Sequence, residues 1–263
     1  MARKSLSNVC KLIDVAKETL PPEQAFLSDL KRSIELTDSK NRRLPSQTYK
    51  PSSMNCIRNM FYQVTGKEPD PGNTSYCLVG ICNSGSDIHV RTQQAIEDMK
   101  ENNMNCEYID VAKFVTSRNL DYLEIKSKSG METKLYHKDL NMSFMTDGIL
   151  FYRGHYYVLE LKTETSYKWN NRTGVDPKHY AQGTAYSVAF NLPEVIFIYI
   201  NRDNLDMKAF MFTPTDDMKQ DLVGKIEECD EYVKRLIAPP KPENINRKTC
   251  EYCNYRTQCR KDG

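Results

Sequence analysis

One hairpin-like stretch constrains this chain more than any other. Asp147-Gly148 opens an apolar run, Ile149-Leu150-Phe151-Tyr152, and Arg153-Gly154-His155 supplies the turn. Tyr156 to Leu161 returns as a second run of branched and aromatic residues, the types that suit a pleat. Side chains alternate across a strand, so Glu160 and Lys162 share a face. A carboxylate and an ammonium then lie side by side where a buried strand ends, which is costly unless each has a partner or a task. Asp147 adds a second carboxylate across the hairpin. Carboxylates on adjacent strands can hold a hard divalent cation through oxygen, and a neighbouring lysine can orient or polarise a water there. The bland alternative is an amphipathic hairpin with a surface Glu and Lys.

The 263 residues suit one large domain or a domain with an extension. Residues 1–49 read as an N-terminal helical extension, with Leu12, Ile13, Ala16, Leu20, Phe26, Leu27, Leu30 and Ile34 at helical spacing around Pro21-Pro22. Its basic end, Lys40, Arg42 and Arg43, is either a solvated loop or a phosphate contact. Residues 50–263 read as the main domain. Hydrophobic residues make up 39% and charged ones 27%, with no run near the ~20 apolar residues of a membrane span. The first residues show no secretory pattern, so a cytoplasmic location is expected. A net charge of +2 means that any nucleic-acid surface is a local patch.

Along the main domain, Ser52 or Ser53 is a plausible N-cap for a helix carrying Cys56, with Gly66 ending it. Ser84-Gly85-Ser86-Asp87 opens a second helix, about 86–101, with His89 near its start. Residues 108–118 suggest a short helix, and 122–126 with 133–136 a hairpin turning at Ser129-Gly130. The stretch 163–175 reads as a polar, basic loop. Its Trp169, Lys168 and Arg172 suit either nucleic-acid stacking or simple anchoring. Asp176-Pro177 starts a helix in which Gln182 and Tyr186 share a face. Residues 195–200 form a buried strand and 205–212 another. A long helix follows over 214–237, with Leu236 among its inward residues. Pro239-Pro240-Lys241-Pro242 reads as a stiff linker.

Nine cysteines in a reducing compartment argue against a disulfide framework. Cys10, Cys77, Cys82, Cys106 and Cys229 are scattered. Cys250, Cys253 and Cys259 form C-x2-C-x5-C, three soft ligands that call for an iron–sulfur cluster or zinc. Cys56 is the candidate fourth ligand. Spacing alone leaves the two metals open.

Taken in order, Cys56, Gly85-x-x-x-His89, Asp147, Glu160-x-Lys162, Gln182-x-x-x-Tyr186 and the cysteine triplet resemble the RecB-like PD-(D/E)xK nucleases. More narrowly, they resemble the iron–sulfur exonucleases of the CRISPR-associated, AddB-like and phage-encoded type. The residue before the aspartate is Thr146, where the family name has proline. The resemblance covers about residues 50–263. It implies an α/β, restriction-endonuclease-like core: a central mixed β-sheet flanked by helices, with a C-terminal iron–sulfur clasp. It implies a metal-dependent DNA exonuclease in a bacterial cell, phage-borne in some cases, working on single strands or ends in recombination, repair or end processing. His89, Asp147, Glu160 and the Leu161 carbonyl would hold Mg²⁺ or Mn²⁺. Lys162 would position the attacking water, and Gln182 and Tyr186 would orient the centre. Cys56, Cys250, Cys253 and Cys259 would hold a [4Fe–4S] cluster. Recombination or CRISPR-adaptation proteins are the implied partners, and the oligomeric state stays open. A non-catalytic DNA-end adaptor on the same scaffold and a zinc-stabilised structural protein are the alternatives.

Overall fold

The computed structural model describes residues 20–40, 45–70, 75–243, 245, 247–251 and 253–263, without the side chains at 129, 247 and 248. Cys10 and the apolar residues before Leu20, with Arg42 and Arg43, lie outside this set. The chain divides into two units, Met1–Arg43 with Asn73–Ser84, and Leu44–Gly72 with Gly85–Gly263.

In the first unit, helix α1 spans Pro22–Lys40 and buries none of its side chains. The backbone N–H of Tyr76 donates to Glu35 Oε1 at 3.0 Å, and Lys31 Nζ lies 4.8 Å from the Tyr76 ring centroid.

The second unit is built on a five-stranded mixed sheet. Its strands are β1 (Cys106–Ile109), β5 (Gly148–Tyr152), β6 (His155–Glu164), β7 (Val195–Asn201) and β8 (Met207–Phe212), adjacent in that order. Only β6 and β7 run parallel; the connection between them carries a helix, as a parallel crossover requires. The period-2 pattern of β6 explains its place at the centre. Leu159 and Leu161 join Ile96, Cys106 and Leu150 on one face, while Val158 packs into the larger core with Phe197 and Phe190 on the other. Helix α3 (Tyr76–Glu101) supplies Ile96 to the first face. Helices α2 (Ile57–Val64), α6 (Tyr180–Phe190) and α7 (Asp216–Arg235) line the second. The expected central mixed sheet with flanking helices is therefore present.

The structure departs from the sequence reading in several places. Helix α3 begins at Tyr76, not near 86, and includes Ser84 and Gly85. Gly85 is no cap: a Cβ there would sit 3.3 Å from Thr163 Oγ1, so its absence admits β6 close to the helix. Cys56, not Ser52 or Ser53, occupies the cap position of α2, and its side chain makes no cap bond. Gly66, at φ +70°, follows the helix end as expected. Strands β1 and β4 (Met142–Thr146) carried no clear alternation. β4 extends the expected hairpin of β2 (Leu123–Ser129) and β3 (Glu132–His137) into a separate three-stranded sheet. The stretch 163–175 is not an open loop. It ends β6 and forms helix α5 (Ser166–Asn170). Leu236 is 79% exposed at a left-handed helix end instead of packing inward.

The C-terminal segment contains the short helices α8 (Arg247–Glu251) and α9 (Arg256–Lys261). It is tied down by Arg58, only 3% exposed on α2. Arg58 Nε donates to Pro239 O at 2.7 Å, which fixes the start of the proline linker at the buried Pro239. Nη1 donates to Cys259 O (3.0 Å) and Gly263 O (3.1 Å), and Nη2 to Asp262 O (3.1 Å). A planar five-donor guanidinium suits several carbonyls at once, where an ammonium could not match the directions. Tyr62 adds a bond from its hydroxyl to Asp262 Oδ2 at 2.7 Å. Hydrogen bonds to a charged group are worth about 1.5–3 kcal/mol each. Arg58→Met should thus lose at least about 3 kcal/mol in urea unfolding and expose the chain beyond Pro239 to limited proteolysis. A variant as stable and as protease-resistant as the wild type would refute this role.

Candidate active site

The sheet and two of its helices place seven sequence-predicted residues, His89, Asp147, Glu160, Leu161, Lys162, Gln182 and Tyr186, in two linked sets. β5 and β6 pair from Gly148↔Leu159 to Tyr152↔His155, so the ladder stops just before Asp147 and Glu160, and Leu161 lies beyond its end. The Leu161 N–H, left without a ladder partner on that side, donates instead to Asp147 Oδ2 at 2.6 Å. In an extended strand a residue's N–H and C=O project to the same neighbour. The Leu161 carbonyl therefore projects to the same side of β6 as its N–H. From α3, His89 Nδ1 lies 3.1 Å from Asp147 Oδ1. Burial favours the neutral imidazole, yet the Asp147 carboxylate outweighs it and the His89 pKa lies above its ordinary value.

Glu160 is 4% exposed. Lys162 Nζ donates to its Oε1 at 2.6 Å, which is the shared face expected from alternation. Gln182, on the first turn of α6, bridges both groups. Its Nε2 donates to Glu160 Oε1 at 2.8 Å, and its Oε1 accepts from Lys162 Nζ at 3.0 Å. Gln182 Nε2 also reaches the Tyr186 hydroxyl at 2.8 Å, and that hydroxyl donates to Met145 O at 2.7 Å. The helical spacing of Gln182 and Tyr186 thus forms a brace running from β4 through α6 to Glu160. Burial pushes the Glu160 carboxyl up to about 7; the Lys162 ammonium opposes the rise and Asp147 adds to it.

Three positioning groups were not found from sequence. Gln93, one turn beyond His89 on α3 and 1% exposed, donates from Nε2 to the Asp147 carbonyl at 2.7 Å. The Tyr108 hydroxyl donates to the same carbonyl at 2.7 Å. Tyr108 reaches it by passing over Gly148, where a Cβ would sit 2.5 Å from the ring. Gln93 had a readable signal in its i+4 spacing from His89; Tyr108 had none, since its strand was read as helix.

The third is His179, just before α6. Its Nδ1 lies 2.9 Å from the Tyr199 hydroxyl, and its ring stacks on Phe197 at 6.0 Å with planes 6° apart. Burial, with Lys162 and Lys178 nearby, lowers its pKa to about 3. Trp169 anchors α5, donating from Nε1 to Tyr199 O at 3.0 Å beneath Lys208. Arg172 is held by Glu164 at 2.6 Å. Of the two readings of this stretch, Trp169 as an anchor matches the geometry.

Elsewhere, Cys56, Cys250, Cys253 and Cys259 line one cavity of about 360 Å³ with Arg58, Lys241, Arg256 and Arg260. Arg58 Nη1 lies 3.4 Å from Cys259 Sγ, the Tyr255 N–H donates to Cys253 Sγ at 3.4 Å, and Asn59 Nδ2 lies 3.8 Å from it. Burial raises the thiol pKa values of Cys56 and Cys253. Among the described residues, no three His, Cys, Asp or Glu side chains close into a preformed metal cage at either place.

No protein-family model matches the chain, and no curated protein matches it in sequence. Among solved structures, a protein designated SSO0001 is 16% identical with a TM-score of 0.49, over 91% of this chain and 98% of its own. LHK-Exo in complex with dAMP is 11% identical with a TM-score of 0.40, over 72% and 91%. A second structure of LHK-Exo, an alkaline exonuclease from Laribacter hongkongensis, is 9% identical with a TM-score of 0.35, over 73% and 92%. With TM-scores below 0.5, these likenesses decide neither fold nor chemistry, which rest on the residues above. No helix among the described residues is long and apolar enough to cross a membrane.

Two outcomes check the electrostatics. In Lys162→Met, the metal-free Glu160 carboxyl loses its cation and should titrate about 1–3 pH units higher by carbon-detected NMR; an unchanged midpoint would contradict the pairing. For His179, the folded pKa of about 3 lies below the unfolded value of about 6.5. Its contribution is complete above pH 6.5 and is lost as pH falls towards 3. His179→Phe should therefore lose up to about 2 kcal/mol less stability than the wild type between pH 7 and pH 5. Parallel stability–pH curves would show that the ring titrates normally.

Proposed function

We propose that this chain is a metal-dependent DNA exonuclease of the PD-(D/E)xK type, acting on single strands or ends. The observation that carries the proposal is the buried Glu160–Lys162–Gln182 triangle set beside Asp147 and His89. A buried carboxylate forced up to about 7 is costly to keep for stability alone, and such perturbed groups mark working sites.

The donor set suits Mg²⁺ or Mn²⁺. Asp147, Glu160 and the Leu161 carbonyl are hard oxygen donors, and the His89 imidazole makes Mn²⁺ acceptable too. Bound there, such an ion supplies Lewis-acid polarisation of the phosphate and lowers the pKa of a water.

The remaining work falls to the chain. Lys162 has three N–H donors and spends two, on Glu160 and Gln182. The third is available to a phosphate oxygen or to the attacking water. Glu160 and Gln182 fix that ammonium, so no reorganisation is needed as charge develops on the phosphate. Tyr186 holds Gln182 in the amide orientation that gives its oxygen to Lys162 and its nitrogen to Glu160. Recombination, repair or end processing is the setting this chemistry serves.

The four cysteines are proposed to hold a [4Fe–4S] cluster with a structural role. Their cavity, about 360 Å³, is far roomier than one zinc ion bound at about 2.3 Å needs. Its Arg and Lys lining offsets the negative charge of four thiolates, and the Tyr255 N–H already points at Cys253. Zn²⁺ is the alternative, and metal analysis of anaerobically purified protein separates them.

The decisive assay uses end-labelled single- and double-stranded DNA with Mn²⁺ or Mg²⁺. Wild type should degrade it. Glu160→Ala and Lys162→Ala should fall about 10²–10³-fold, the loss expected when a preorganised electrostatic group is removed. Tyr186→Phe should fall about tenfold, as one positioning hydrogen bond is lost. Folded variants at both positions that still cleave at wild-type rate would end the proposal. Tight DNA binding without turnover would instead favour an end-binding adaptor.

A further inference from the structure

His179 stands outside the residue set assigned to chemistry, yet its surroundings fix it as firmly as any member of that set. It sits at the position just before α6, three residues ahead of Gln182, and Lys162 lies near enough for its charge to act on the ring. Its neighbour Tyr199 is the register partner of Lys162 across the parallel β6–β7 pair.

The protons can be assigned by counting. Tyr199 is fully buried, and its hydroxyl oxygen accepts the Asp176 N–H at 3.0 Å. Its own proton needs an acceptor, because a buried unpaired hydroxyl costs about 1–3 kcal/mol. The available acceptor is His179 Nδ1 at 2.9 Å. With Nδ1 accepting, the ring's proton sits on Nε2. Among the described residues Nε2 takes no protein partner, and the His179 side chain is only partly buried. Stacking on Phe197 and Tyr199 prevents the ring from turning away. The low pKa given by burial keeps the ring in this neutral form at working pH.

We propose that His179 contacts the substrate strand, donating its Nε2–H to a non-bridging phosphate oxygen next to the phosphate served by Lys162. This rests on the nuclease reading for its ligand, single-stranded DNA. The contact adds a directional hydrogen bond without a cation. It therefore releases no counterion when the strand binds, unlike a lysine contact.

Two substitutions separate the donor from the scaffold. His179→Asn keeps an oxygen where Nδ1 meets Tyr199 and removes the Nε2 donor. His179→Gln reaches the Nε2 position with an amide N–H. Binding of a fluorescein-labelled oligothymidylate is measured by anisotropy in EDTA at pH 7.5 over a range of KCl. His179→Asn should weaken binding about 5–10-fold at every salt concentration, with an unchanged slope of log K against log [KCl] and an unchanged melting temperature. His179→Gln should recover most of the loss. Lys162→Met should instead flatten the slope by about 0.7. Binding by His179→Asn within twofold of wild type, or a loss that Gln does not repair, overturns the proposal. Cleavage by the wild type with Mn²⁺ is scored separately. A wild type that never cleaves, with the Asn and Gln binding pattern intact, removes the nuclease reading and leaves the His179 contact standing.

Discussion

The bond from the Leu161 N–H to Asp147 Oδ2 is the interaction on which the rest of the site depends. It exists because the β5–β6 ladder stops at Gly148↔Leu159, freeing one strand edge inside a buried sheet. An unpaired N–H there would cost about 1–3 kcal/mol. Asp147 satisfies it and is itself oriented, with its carbonyl gripped by Gln93 and Tyr108. The Leu161 carbonyl projects to the same side of β6 as that N–H. One termination of strand pairing thus fixes the Asp147 carboxylate without any dedicated loop.

Glu160 is placed by a different rule. Strand alternation sends Leu159 and Leu161 into one apolar layer and drives Glu160 and Lys162 into the other. Burial raises the carboxyl pKa, and the ammonium and the Gln182 amide keep the charged pair tolerable. The C-terminal segment is held by an analogous device. Arg58 exchanges its hydration for three backbone carbonyls in the last residues and one at Pro239. The Glu160–Lys162 pair and the C-terminal segment therefore both rest on buried polar groups held by several partners, an arrangement that specifies one geometry because any half-satisfied alternative is costly.

Much of this was legible in the residues. Asp147-Gly148, the apolar runs and Arg153-Gly154 marked the central hairpin, and i, i+2 spacing put Glu160 beside Lys162. The i, i+4 spacing of Gln182 and Tyr186 placed both on one helix face, which the hydrogen bond between them bears out. Other parts were hidden for physical reasons. Gly85 looked like a helix start because glycine disfavours helix interiors, whereas here the missing Cβ admits Thr163. β1 is four residues long, too short for alternation to stand out, so Tyr108 was missed. Arg58 and His179 owe their roles to partners far away in sequence, Pro239 to Gly263 for one and Tyr199 for the other. No local pattern encodes such pairings.

The central claim is that Asp147, Glu160 and His89 form one pocket able to take a divalent ion beside Lys162. Mn²⁺ binding followed by electron paramagnetic resonance, on wild type and on Asp147→Asn, tests it most directly. The account predicts a Mn²⁺ site in the wild type that weakens at least about tenfold when the Asp147 charge is removed, while the cysteine cavity keeps its own metal. Equal Mn²⁺ affinity in the two proteins would contradict it.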